Sequence, residues 1–131
     1  MFNATGCEAP DVDEPQRLVA FFVAVQQLAA QGRILAYHDR SDGGLFATLA
    51  EMAFATHCGI ALDLDTLCDG SSSDVLRTLF AEELGAVLQV RSADLTTVRD
   101  GLRAVGLDTL TRVIGAPLSL PIHTTATRSP V

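Results

Sequence analysis

The stretch His38–Gly44 constrains the fold most strongly, because it lies between two apolar segments of different kinds. Ile34–Tyr37 is a short apolar run that predicts a buried strand, and Leu45–His57 is a longer apolar run that predicts a helix. The stretch between them carries two aspartates and two adjacent glycines, which are residues of turns. It therefore predicts a turn that leads from a strand directly into a helix.

The residue types in this turn are those that bind phosphates and hard cations. Asp39 and Asp42 supply carboxylates, Ser41 supplies a hydroxyl, and Gly43 and Gly44 allow positive φ angles and a close approach of the backbone to a ligand. The free N–H groups at the start of the following helix favour an anion. Mg²⁺ is commonly held by one or two carboxylates together with substrate phosphates. The turn thus favours a magnesium-nucleotide or sugar-phosphate contact.

A purely structural interpretation of the same turn stays open. In that interpretation Asp42 is only the N-cap of the helix, Gly43 and Gly44 only shape the turn, and Asp39 is solvated. Residue types alone do not separate the two interpretations, because Asp, Ser and Gly are ordinary turn residues.

Helical and strand patterns alternate along the rest of the chain. The first helix is predicted to begin at Asp13–Gln16, with Pro15 in its first turn, and to end at Gly32. Glu82 and Glu83 are predicted to lie at a solvated helix end. The first helix is predicted to have an inward face with Leu18, Phe21, Phe22, Val25, Leu28 and Ala29. The further elements are a strand at Ile60–Leu64, a short helix capped by Ser71–Ser73, a strand at Ala86–Val90, a helix from Ser92 to Gly106, and a last strand at Thr109–Ile114. On the helix from Ser92 to Gly106, one apolar stripe is predicted with Leu95, Val98, Leu102 and Val105.

These patterns predict an α+β domain in which helices are layered on one four-stranded mixed sheet. The predicted organisation is a lead-in segment at 1–12, the domain at 13–115 and an irregular tail at 116–131. With 131 residues, 48% of them hydrophobic, the chain can build a single core.

Composition excludes several classes of protein. The net charge is −7 and the nine basic residues are all arginines, so a phosphate-backbone binder is not expected. Without lysine, the chain cannot supply a P-loop lysine. Cys7, Cys58 and Cys68 show neither disulfide nor zinc spacing, and no segment resembles a membrane span or a signal peptide. We expect a cytoplasmic protein with reduced thiols that binds neither nucleic acid nor membrane.

Three stretches carry a family resemblance. They are Leu35–Leu45, which contains H-D-R-S-D-G-G, then Leu49–Gly59, and Glu82–Val90, which begins E-E-L-G. Together with Glu8–Asp13 they closely resemble the long form of the phosphoribosylformylglycinamidine synthases, enzymes of purine biosynthesis. The resemblance covers roughly residues 8–115 and is to the C-terminal, AIR-synthase-like domain of the second synthase-related half. Such long matches are more specific than the turn alone.

The resemblance implies an ATP-dependent ligase that converts formylglycinamide ribonucleotide to the amidine with ammonia from glutamine. It implies that Asp39 binds Mg²⁺ and that Ser41 contacts the nucleotide, ATP or ADP. It assigns no ligand to His38, Arg40 or Asp42, and no catalytic residue to this chain.

The chain departs from the family in what it lacks. The expected partners are the remaining synthase domains and the glutaminase domain of a longer protein, which would hold the other metal ligands and the phosphate-binding lysine. We expect the isolated fragment to be inactive, to lack its first strand, and to expose a sheet edge or apolar patch through which it self-associates. The alternative is a standalone interaction or regulatory domain of the same fold without chemistry.

Overall fold

The computed structural model describes residue 12, residues 14–68 and residues 70–121, in which helices and strands alternate as predicted. The helices are α1 (Pro15–Ala30), α2 (Gly44–Thr56), α3 (Ser72–Phe80) and α4 (Leu95–Ala104). The strands are β1 (Ile34–Asp39), β2 (Cys58–Leu62), β3 (Ala86–Val90) and β4 (Gly115–Pro121). Short 3₁₀ turns lie at Ser92–Asp94 and Asp108–Leu110. None of the helices in this part of the chain is both long and apolar enough to cross a bilayer.

The ends of α1 follow from local chemistry. Pro15 occupies the first turn, where its missing N–H costs no hydrogen bond. The predicted capping residue Asp13 lies outside the described residues, and Glu14, which holds the N-cap position, makes no capping bond through its side chain. At the other end Gly32 takes a φ of +66° and its N–H donates to the carbonyl of Ala29 at 2.9 Å. The predicted stop at this glycine is confirmed.

The prediction of one four-stranded mixed sheet is only partly matched, because the four strands of the described residues form two separate two-stranded sheets. β1 pairs with β3, β2 pairs with β4, and both pairs are antiparallel. Each pair skips the strand that comes between its members in the sequence. The alternation of helices and strands indicates an α+β domain, but it does not specify which strands pair, because pairing is a contact between distant segments.

The last strand is also displaced from its predicted position. Thr109–Ile114 contains the 3₁₀ turn and irregular backbone, and β4 begins only at Gly115 and runs into the segment expected to be irregular. β-branched residues in the earlier segment suggested a strand, but strand propensity is weak beside tertiary pairing. The main chain joins β2 and β4, as in the bond from the Asp63 N–H to the Ile114 carbonyl at 2.8 Å.

The core lies between α1, α4 and the β1–β3 sheet. Its buried members are Ala24, Leu28, Val98, Leu102 and Leu107, with Phe21, Ile34, Leu88, Val90 and Val105 packed against them. The predicted inward stripe of α4 is thereby confirmed at Val98 and Leu102. The predicted inward face of α1 is only partly right, because Leu18 and Phe22 are exposed whereas Ala24 is buried.

Many large apolar side chains stay exposed in the described residues. Val19, Phe22 and Phe54 are each more than 60% exposed, and Phe46 and Phe80, which stack with ring centroids 5.4 Å apart, are about half exposed. The expected exposed apolar surface is therefore present. Part of it is a stripe on α1 formed by Leu18, Val19, Phe22 and Val23.

Candidate functional site

The turn from β1 to α2 presents Asp39 and Ser41 to solvent. β1 ends at Asp39 and α2 begins at Gly44, so the predicted succession of strand, turn and helix is present with boundaries that differ from the predicted ones by one or two residues. The Asp39 side chain is 66% exposed, and Ser41 and Asp42 are exposed as well. The two residues expected to bind Mg²⁺ and nucleotide thus lie accessible within three positions of each other.

The predicted N-cap role of Asp42 is wrong. Gly43 holds the N-cap position with a φ of +82°, and no side chain of the turn caps α2. The backbone N–H of Gly43 instead donates to the Oε1 atom of Glu82 at 3.0 Å. Because Gly43 adopts the left-handed conformation, helical geometry starts one residue later than Asp42 requires. A carboxylate distant in the sequence therefore binds the backbone N–H of the N-cap residue.

Gly44 allows a close approach to the backbone, but the group that approaches it is the end of α3 and not a ligand. A Cβ atom at this position would lie 2.8 Å from backbone atoms of Leu79, Phe80 and Ala81 at the end of α3. Its φ of +65° also disfavours any other residue. The expected approach to a ligand is thus replaced, at this glycine, by tight packing of α2 against the α3 terminus.

The segment after α3 is bound to the turn and is not simply a solvated helix end. Arg40 donates from its side-chain Nε to the carbonyl of Glu83, and from its backbone N–H to the carbonyl of Gly85, both at 2.8 Å. Burial lowers the pKa of the Arg40 guanidinium. Although the Glu82 and Glu83 residues themselves are exposed, the prediction that they serve only as a solvated terminus is corrected.

His38 links the end of β1 to α2. Its Nε2 atom lies 2.6 Å from Oε2 of Glu51, and its Nδ1 atom lies 2.7 Å from the carbonyl oxygen of Asp39. The hydrogen bond to the Asp39 carbonyl and the one to Glu51 raise the pKa of His38, because both favour the doubly protonated ring. The contact between His38 and Glu51 was not predicted from the sequence. The feature that could have indicated it is Glu51 itself, because it is the only carboxylate on α2.

A buried hydroxyl fixes the same junction from inside. Thr48 is 2% exposed and its Oγ1 atom lies 3.2 Å from the carbonyl oxygen of Asp39 and 3.1 Å from that of Gly44. One hydroxyl therefore bridges the last residue of β1 and the first residue of α2. The backbone that carries Asp39 is held in place. Its exposed carboxylate lies 3.7 Å from Nδ1 of His38.

An open cleft of about 340 Å³ lies beside Arg40. It is lined by Arg40, Leu67, Asp74, Arg77, Thr78, Ala81 and Glu83. Positive and negative side chains balance in this lining, so it does not by itself define an anion site.

The described residues hold no group of three or more metal-ligating side chains. Asp39 fits Mg²⁺ as a single exposed carboxylate, but the cation takes several oxygen ligands. Cys58 and Cys68 are free thiols, and Cys7 lies outside the described residues.

Helices packed with small antiparallel sheets, and an acidic turn between strand and helix, define an α+β domain with an accessible carboxylate site. Residues 2–116 match the family described as AIR synthase related protein, C-terminal domain. The chain belongs to this family, which links it to the synthases of purine biosynthesis.

Proposed function

We propose that the chain is the AIR-synthase-like C-terminal domain in the second half of a phosphoribosylformylglycinamidine synthase. This ATP-dependent ligase converts formylglycinamide ribonucleotide to formylglycinamidine ribonucleotide with ammonia derived from glutamine. The observation that carries the proposal is the exposed Asp39 and Ser41 pair in the turn H-D-R-S-D-G-G. Family membership supports the general class, and the resemblance of the three stretches supports the particular reaction.

In the proposed site Asp39 binds Mg²⁺ and Ser41 contacts the nucleotide. A carboxylate at the carboxyl end of a strand is suited to this role, because it can hold a hard cation against the phosphates of ATP or ADP. The cation would offset the repulsion between those phosphates and an acidic chain of net charge −7. In the reaction, the amide oxygen of the substrate is phosphorylated by ATP and ammonia then displaces phosphate.

The chain provides one part of the machinery in this proposal. It has no lysine for the phosphates, and the described residues hold no group of three or more metal-ligating side chains. The partners are therefore other synthase domains and a glutaminase domain, which supply these groups and the ammonia. We expect the 131 residues alone to bind Mg-ADP very weakly and to have no activity. Formation of the amidine by the isolated chain from ATP and ammonia would contradict this division of roles.

Calorimetry of Mg-ADP binding to the natural protein that carries these residues tests the site. Asp39→Asn should remove most of the binding, because it removes the charge that holds the cation. Asp42→Asn is the matched control, since it makes the same change at an exposed residue three positions away in the same turn and should leave binding nearly unchanged. Equal effects of the two substitutions, or none from Asp39→Asn, would overturn the assignment.

The alternative of a standalone interaction domain is favoured by the same sparse ligand set and by the exposed apolar stripe on α1. The genomic reading frame separates the two hypotheses. Continuation into an upstream glycine-rich synthase segment and a downstream glutaminase supports the ligase, and a frame limited to this domain supports the alternative.

A further inference from the structure

We propose that Glu82 is a positioning residue for the Asp39 and Ser41 site. Its carboxylate holds the turn in shape by capping the N-terminus of α2 from another part of the chain. The inference rests on the proposed function, because it concerns the precision with which the same two residues are presented.

The capping contact occurs where α2 has no other cap. The Gly43 N–H donates to Oε1 of Glu82 at 3.0 Å, whereas no side chain of the turn caps the helix and its first turn contains no acidic residue. The N-terminus of a helix carries unpaired N–H donors and a partial positive charge. A carboxylate there forms a charge-assisted hydrogen bond, which is stronger than a neutral one.

The backbone on either side of Glu82 is fixed to the same turn. Before it, the end of α3 packs so closely on Gly44 that a Cβ there would collide with backbone atoms. After it, the carbonyls of Glu83 and Gly85 accept hydrogen bonds from Arg40. Glu82 thus lies in a segment that is already held against the turn, so little chain entropy is lost when its side chain makes the capping bond.

The functional consequence follows from the position of Ser41. Ser41 is exposed and lies between two anchored residues, Arg40 and Gly43. The Asp39 backbone is held independently by Thr48, so release of Glu82 should loosen the Ser41 side of the site first. Binding groups that lose their fixed geometry lose affinity even when they are chemically intact.

The test compares three variants of the natural protein by calorimetry with Mg-ADP. Glu82→Ala should weaken binding about fivefold, which corresponds to the loss of one helix cap. Glu82→Gln should restore most of the affinity, because its amide oxygen can still accept from Gly43. Glu83→Gln is the matched control, since the hydrogen bond of Glu83 to the turn is made by its backbone carbonyl, which the substitution retains.

Hydrogen exchange of the Gly43 amide, followed by NMR on the 131-residue chain, reports the contact directly and should accelerate only in Glu82→Ala. Unchanged Mg-ADP affinity in Glu82→Ala despite faster exchange would overturn the positioning role and leave a structural cap. Tighter binding would also overturn it, because it would mean that Glu82 competes with phosphate for the N–H group.

If Asp39→Asn also leaves binding unchanged, the proposed function fails, whereas loss of binding in Asp39→Asn alone means that only the inference about Glu82 fails.

Discussion

Arg33 forms an ion pair with Asp94, a residue 61 positions away, and joins the start of β1 to the start of α4. Asp94 is 6% exposed and is also approached by Arg91, whose Nη1 lies 3.3 Å from Oδ2 of the carboxylate. The same Arg91 nitrogen donates to the carbonyl of Gly32 at 3.0 Å. Two arginines and one buried carboxylate therefore close the end of the β1–β3 sheet that lies opposite the candidate site.

Asp94 should make the domain sensitive to acid. The hydrogen bond from Arg33, and then the one from Arg91, hold the pKa of Asp94 below its ordinary value. The stabilisation is therefore complete above the ordinary aspartate pKa and is lost as the pH falls through the lowered one.

Thermal melts from neutral to acidic pH should compare Asp94→Asn with the unmodified chain. At neutral pH the variant should have the lower melting temperature, and the difference between the two melting temperatures should become smaller as the pH falls. The control is Asp100→Asn, which removes an exposed carboxylate paired with Arg103 and should cost less than about 0.5 kcal/mol. A pH-independent gap for Asp94→Asn would contradict the role of its charge.

His38 should titrate above the ordinary histidine range. Its raised pKa means that its contribution to stability is fully present below the ordinary histidine pKa and is lost as the pH rises through the raised one. NMR titration of the imidazole resonances measures this directly. Glu51→Gln should lower the His38 pKa, whereas Glu14→Gln, which removes an exposed carboxylate paired with Arg17, should leave it unchanged.

Gly44 should tolerate substitution far less well than Gly32, although the two have nearly equal φ angles of +65° and +66°. Alanine at either position incurs the left-handed penalty of about 1–2 kcal/mol. A Cβ at Gly32 meets no atom within 4 Å, whereas at Gly44 it collides with the α3 terminus, which should add about 1–3 kcal/mol. Chemical denaturation of Gly44→Ala and Gly32→Ala isolates the collision, and equal losses would mean that the α2–α3 contact is loose.

Gly101 is a position where alanine should stabilise the domain. It lies within α4, and a Cβ there would meet the nearest Leu28 side-chain carbon at 3.4 Å, an ordinary contact. Gly101→Ala should raise the free energy of unfolding by about 0.5–1 kcal/mol, because alanine favours the helix. Gly106→Ala is the control, since a Cβ there meets no atom within 4 Å but its φ of +79° disfavours alanine. A loss of stability in Gly101→Ala would show that the α1–α4 core has no room for a methyl group.

The apolar stripe on α1 should cause the isolated chain to self-associate. Val19 and Phe22 are 63% and 62% exposed, and Arg17 is the only charged residue in the helix. Light scattering at rising concentration should show an increase in mean mass that Phe22→Gln reduces. Gln26→Glu, which adds a charge to an exposed position of the same helix, serves to measure the effect of charge alone. A monomer at all concentrations would contradict the expectation.

Local sequence predicted the elements that depend on local chemistry. The turn from β1 to α2, the stop at Gly32 and the inward stripe of α4 were predicted correctly, because glycine and helical periodicity act over a few residues. The strand pairing, the burial of Asp94 and the cap from Glu82 were not predicted. Each depends on residues 39 or more positions apart, as in Gly43 with Glu82 and Arg33 with Asp94, and no local pattern records such distances.

The pairing of β4 with β2 shows how the end of the domain is specified. The family match ends at residue 116, yet β4 continues to Pro121 and completes the sheet. Hydrogen bonds along such an edge use the main chain, which every residue except proline provides in full, and Pro117 and Pro121 of β4 can offer only their carbonyls. Gly115 is the exception, because a Cβ at this position would collide with the carbonyl oxygen of Ala61. Sequence divergence beyond Gly115 is therefore compatible with an unchanged fold. The docking of the final strand depends on the close approach at Gly115, and its pairing with β2 depends on main-chain hydrogen bonds.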